Sequence, residues 1–177
     1  MIYLPRRALF IHIPRTGGNS ITNAIASTCA GNGVDVLIGT ASAESGAWGA
    51  LHRHATAASL RPLIDEWDSI FKFAVYRSEE DRLKSLNRLI DRDINSRLFD
   101  DPVCSPEWRR VLLYCGPSRE DYINEFKSQD WDYYTKGDNG ENIGVIRYDF
   151  DSLDEHWDEI CDRCSIPRCH LPRLNVS

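Results

Sequence analysis

No run in this sequence approaches the ~18 consecutive apolar residues that a membrane-spanning helix needs. Basic residues are not in surplus either: 21 lysines and arginines stand against 27 acidic residues, for a formal net charge of -6. A protein that coats a nucleic-acid backbone wants the opposite balance, so nucleic acid is excluded as the main partner and any anion site must be local. Six cysteines over 177 residues are too sparse for a secreted disulfide framework, and reduced thiols are expected. The opening MIYLPRRALFIHIP has two arginines, then a short apolar run that ends in a loop signature rather than a small-residue cleavage site, so a cytoplasmic location is expected. No repeat, charge block or Pro/Ser linker divides the chain. A chain this long buries roughly two-thirds of its unfolded surface without needing a disulfide or a metal, and residues 1–177 are expected to form a single domain.

What is present alternates between two periods. Ala8 to Ile13, Phe71 to Tyr76 and Ile143 to Tyr148 are mostly apolar on consecutive positions, as buried strands are, and Val34 to Ile38 is a weaker fourth. Leu83, Leu86, Leu89 and Ile90 follow a helical spacing behind Ser78 as N-cap, with Glu79, Glu80 and Asp81 in the first turn. Leu153, Trp157, Ile160, Cys161 and Cys164 form another helical stripe, with Ser152 and Glu155 spaced as a capping box and Pro167 as the stop. Tyr122, Ile123 and Phe126 mark a helix over 118–127, and Thr56 caps one over 56–65. Gly39 to Gly49 reads as a loop of small residues. Strands alternating with helices predict an α/β fold, with a P-loop-like parallel β-sheet of about four to five strands flanked by helices.

Three constellations carry chemistry. The strand ALFIHI runs into Pro14, Arg15, Thr16, Gly17, Gly18, Asn19 and Ser20, then into the apolar helix ITNAIAS. Paired glycines let backbone N–H groups approach a ligand, the helix start favours an anion, and Arg15 and Ser20 add donors. The loop reads either as an anion cradle or as an ordinary strand-turn-helix connection. It is not a Walker A loop, because GxxxxGK[ST] is absent and the charge precedes the glycines. In the second, Arg77 leaves a strand at the carboxyl edge of the sheet, with Arg82 and Ser85 in the helix that follows. That layout suits a phosphate held by a guanidinium fork and a hydroxyl, although a strand-end arginine also serves as a salt-bridge partner. The third is His52-Arg53-His54, imidazoles whose ordinary pKa suits proton transfer near neutrality. His12 is expected to pack, and His156 has no role. Cys161-x2-Cys164 with Cys169-His170 has a zinc-knuckle look, but the first two thiols lie on an apolar helix stripe, and no metal is expected.

Taken in order, IPRTGGNS, HRHATAASLRPLIDEWDSIFKFAVYRSEEDRLKSL and RYDFDSLDEHWDEICDRCSIPRCHLPRLNVS resemble the sulfotransferases that use 3′-phosphoadenosine 5′-phosphosulfate (PAPS), in particular the bacterial branch similar to the heparan uronyl 2-O-sulfotransferases. The family's (K/R)TGG(T/N)S-like loop grips the 5′-phosphosulfate and falls on Arg15 to Ser20. Its R-x7-S pair grips the 3′-phosphate and falls on Arg77 and Ser85. The resemblance implies His54 as base, His52 as a supporting residue, an acceptor hydroxyl on a carbohydrate, and 3′-phosphoadenosine 5′-phosphate (PAP) as product. Arg15 stands where lysine is commoner, as in tyrosylprotein sulfotransferases, and stabilises the leaving phosphate by charge alone. In the family the LPRLNVS-like segment is usually followed by further residues, including a C-terminal helix, so part of the cofactor lid or of the acceptor groove is expected to be missing. Two alternatives are a non-catalytic module that binds PAP or PAPS and a P-loop nucleotide or small-molecule kinase. The second is disfavoured by the missing lysine after the glycines and the missing Mg²⁺-binding strand-end Asp.

Overall fold

The computed structural model describes residues 1–39, 52–113 and 118–173. They gather into two compact units: Met1–Arg77 with Trp131–Val176, and Ser78–Asp130. The expected loop from Gly39 to Gly49 falls, beyond its first residue, outside the described residues, as do Trp48 and Cys115.

The first unit holds a five-strand sheet in the order β3-β1-β2-β4-β5. These are β1 (Ile2–Leu4), β2 (Ala8–Ile11), β3 (Leu37–Ile38), β4 (Phe71–Tyr76) and β5 (Ile146–Asp149). β2, β4 and β5 run parallel, with Phe10 opposite Phe73 and Phe73 opposite Ile146. β1 is antiparallel to both β2 and β3. The sheet is therefore mixed, which corrects the expectation of a parallel one. Its cause is a tight turn at Pro5 to Arg7, where the Arg7 amide donates to the Leu4 carbonyl at 3.0 Å and Arg6 takes φ 62°, folding the first three strand residues back along β2. A strand that short leaves no alternation to read.

Period-two burial assigns the strand side chains to two cores. Ile2, Leu4, Ala8, Phe10, Phe73, Val75 and Tyr148 face α1 (Gly18–Gly31) and α7 (Leu153–Arg163). Tyr3, Leu9, Ile11 and Ala74 face the opposite layer, which includes α2 (Ala57–Leu60), Trp67 and Tyr134 of α6 (Trp131–Thr135). The stripe on α7 is buried as its spacing requires, Cys161 and Cys164 included. Two local readings are corrected. The Ser152 side chain makes no capping hydrogen bond, since φ -110° and ψ 12° place it in a 3-10 turn that leads into the helix. The last strand begins at Ile146, three residues late, because Gly144 at φ 82° bends the backbone before the ladder starts.

The second unit is helical: α3 (Glu79–Asn95), α4 (Pro106–Leu113) and α5 (Arg119–Ser128) pack Leu86, Ile90, Val111, Leu112 and Phe126 together. Ser78 caps α3, its hydroxyl accepting from the Asp81 amide at 3.1 Å. Ser118 and Asp121 form a reciprocal capping box on α5. Among the described residues, no helix is long and apolar enough to cross a membrane.

Candidate functional site

β2 and β4 are neighbours, yet the chain leaves them toward opposite edges of the sheet, β2 leading to β3 and β4 to β5. In open α/β sheets such a reversal opens a crevice at the carboxyl ends of the two strands, where ligands bind. The segment from Pro14 to Gly17 and Arg77 follow those two strand ends. The Arg77 guanidinium donates to the Arg15 carbonyl at 3.4 Å and lies 4.4 Å from the centre of the Phe150 ring. Two expected anion-binding elements are thereby brought into contact in one unit.

The loop is shaped by sterics. Thr16 is fully buried, and its hydroxyl donates to the Ile13 carbonyl at 2.8 Å, closing the turn. Arg15 and Gly17 take φ 66° and 79°. Glycine adopts that conformation freely, whereas at Arg15 it is strain, of order 1 kcal/mol, held by the surrounding contacts. A Cβ on Gly17 would come within 2.9 Å of the Phe150 ring. α1 begins at Gly18, where the positive end of the helix dipole favours an anion, and the Ser20 and Ile21 amides donate to the Gly17 carbonyl at 2.9 and 3.3 Å.

At Gly18 the neighbour is His12. A Cβ there would meet the imidazole at 1.9 Å, so only glycine lets the ring lie against the start of the helix. Gly18→Ala is expected to force His12 aside and to cost roughly 1–3 kcal/mol, the usual penalty for overpacking a filled site. A thermal melt that matches the wild type would show that the ring is not wedged.

The histidines form a chain. His54 Nδ1 lies 2.8 Å from the His12 carbonyl, and the two rings meet edge-on with centroids 4.6 Å apart. The His54 backbone N–H donates to His52 Nδ1 at 3.2 Å, and those rings are 5.5 Å apart. A carbonyl can only accept, so His54 Nδ1 carries the proton and Nε2 holds the free lone pair. Burial lowers His54 to about 4, against the weaker opposing effect of the His12 carbonyl. Burial, helped by His54, Arg53 and Arg15, lowers His12 to about 2, and burial with Arg53 lowers His52. All three are neutral at pH 7.

Those shifts link stability to pH. An unfolded histidine titrates near 6.5, whereas folded His54 stays neutral to about 4 and His12 to about 2. Between these limits the unfolded chain binds more protons, so native stability falls as pH drops below about 6.5. The loss is about 1.4 kcal/mol per pH unit for each histidine. Denaturant midpoints between pH 7 and 4.5 check this: His54→Asn is expected to flatten the slope, and an unchanged slope would clear His54 of the effect.

A cleft of about 440 Å³ opens beside the cluster, lined by His12, Asn19, Thr22, Asn23, Ile38 and Arg53 among others. Asn19, Thr22 and Asn23 are spaced to share one face of α1. Pro14, Thr16, Ser20, His52 and the remaining loop residues thus belong with Arg15, Arg77 and His54 in the first unit. Arg82 and Ser85 belong to the second, where both are buried; the Arg82 guanidinium donates to the Gln129 carbonyl at 3.0 Å and lies on the Phe126 ring. His12 and Phe150 are the site residues that sequence reasoning missed. Their roles come from a carbonyl and a ring face, which no residue pattern announces.

No protein-family model, curated protein or solved structure matches the chain.

Proposed function

We propose that the protein is a PAPS-dependent sulfotransferase that transfers a sulfuryl group to an acceptor hydroxyl. The observation that carries this reading is His54, whose Nδ1 is committed to the carbonyl of His12, the residue whose ring also packs on Gly18. The bond joins an imidazole with a free Nε2 to the start of an anion cradle.

On this reading the turn from Pro14 to Gly17 acts as a P-loop-like phosphate cradle. Its backbone N–H groups, with Asn19 and Ser20, hold the 5′-phosphosulfate, and Arg77 supplies charge for the 3′-phosphate. His54 Nε2 accepts the acceptor proton as its oxygen attacks sulfur. The bond from sulfur to the bridging oxygen breaks, and the pair passes to the phosphate of PAP, where Arg15 balances the new charge. His52 positions His54 through the bond to its backbone N–H. The cleft along α1 takes the acceptor; its carboxamides and hydroxyl suit a polyhydroxylated molecule such as a carbohydrate.

Titration calorimetry with PAP, followed by a transfer assay from radiolabelled PAPS across a panel of hydroxyl acceptors, tests the proposal. Saturable PAP binding with transfer is expected. Binding without transfer would favour the non-catalytic module, magnesium-dependent hydrolysis of ATP would favour the kinase, and absence of PAP binding would overturn the nucleotide site altogether.

A further inference from the structure

Four of the cysteines converge behind the sheet. Cys29 of α1, Cys161 of α7, Cys164 at the end of α7 and Cys169 in the segment beyond it all belong to the core between those helices. Cys161 Sγ lies 4.0 Å from Cys169 Sγ, and neither is bridged. Cys29, Cys161 and Cys164 are fully buried, whereas Cys169 is only half-buried.

The segment after α7 is anchored around this pair. The Ile166 amide donates to the Cys161 carbonyl at 3.1 Å, the Trp157 indole N–H to the Cys169 carbonyl at 2.7 Å, and Arg168 pairs with Asp158 and Asp162 on α7. Cys169 Sγ itself reaches the Ala24 carbonyl of α1 at 3.9 Å. The two sulfurs are therefore held near each other by contacts that do not involve the sulfurs alone. A disulfide needs them about 2 Å closer, which side-chain rotation and a small shift of the extended segment supply.

We infer that Cys161 and Cys169 are a redox pair that a low-molecular-weight disulfide such as oxidised glutathione converts to an intramolecular bridge. Cys169, the partly accessible thiol, attacks the glutathione disulfide as its thiolate; a bond forms to one sulfur and glutathione thiolate leaves with the pair. Cys161 then loses its proton and attacks the Cys169 sulfur, and the second glutathione leaves. Two protein thiols and one oxidised glutathione become one protein disulfide and two reduced glutathiones. Burial raises the Cys161 thiol to about 11 and raises Cys164 and Cys29 as well, so these three are poor first attackers. The bridge fastens the segment after α7 to that helix beneath α1, the helix that begins at Gly18. The inference is independent of the sulfotransferase reading.

The test treats the folded full chain with excess oxidised glutathione at mildly alkaline pH, quenches with acid, and maps peptides by mass spectrometry while circular dichroism monitors folding. Loss of the mass of two hydrogens, with a reducible link between the peptides of Cys161 and Cys169, is expected. Cys161→Ala is expected to stop at one glutathione adduct on Cys169, and Cys169→Ala to stay reduced. Retention of all thiols in the folded wild type, a link between any other pair, or bridging only on unfolding would overturn the inference. The wild-type map decides the matter even where a variant folds poorly.

Discussion

His54→Asn is expected to slow sulfuryl transfer by about 10²–10⁴, the usual loss on removing a positioned general base, with PAP affinity essentially unchanged. Asparagine is the informative replacement, because its side-chain amide can still donate to the His12 carbonyl while offering no basic lone pair. His54→Ala removes the bond and the base together, so a large loss in alanine with normal turnover in asparagine would make His54 a positioning residue and not a base. The pH profile is a second check. Because folded His54 stays neutral to about 4, the free enzyme's kcat/KM is expected to hold level from pH 7 down to about 5. An acid limb centred near 6.5 would mean that a different histidine, in an ordinary environment, accepts the proton.

Arg15→Ala is expected to lower kcat by about 10²–10³, the size of effect seen when one donor to a developing negative charge is lost, while PAP binds nearly as before. The backbone supports a clean interpretation. Arg15 sits at φ 66°, and alanine bears the same left-handed strain as arginine, so the substitution removes the guanidinium without relaxing the loop as glycine would. The Arg15 carbonyl that accepts from Arg77 also remains. Arg15→Lys keeps the charge and adds a group able to give up a proton, so it is expected to recover most of the loss. Full activity in the alanine variant would take Arg15 out of the reaction.

Much of the scaffold was legible because burial leaves a periodic trace. Phe71 to Tyr76 is apolar at every position but Lys72 and forms β4 with the same ends. Ser78 and its three acidic followers announce α3, since a cap and a dipole act within one turn and need no distant partner. β1 was hidden because its three residues become a strand only by pairing with β2, and the antiparallel edge of the sheet follows from that pairing. The Ser152 cap failed for a related reason: residues spaced for a local bond were drawn into the turn that joins β5 to α7.

For the candidate site, residue order alone determined the chemistry on offer: a glycine turn after a strand, an arginine at a second strand end and a histidine pair between them. Such signals reside in the side chains themselves and survive without a fold. Tertiary structure decided which groups meet. It placed the guanidinium of Arg77 on the backbone of Arg15, wedged the His12 ring into the space that only Gly18 leaves, and fixed the His54 tautomer through a carbonyl 42 residues away. Backbone carbonyls are chemically the same at every residue, so their contribution appears only when packing brings them to a particular partner.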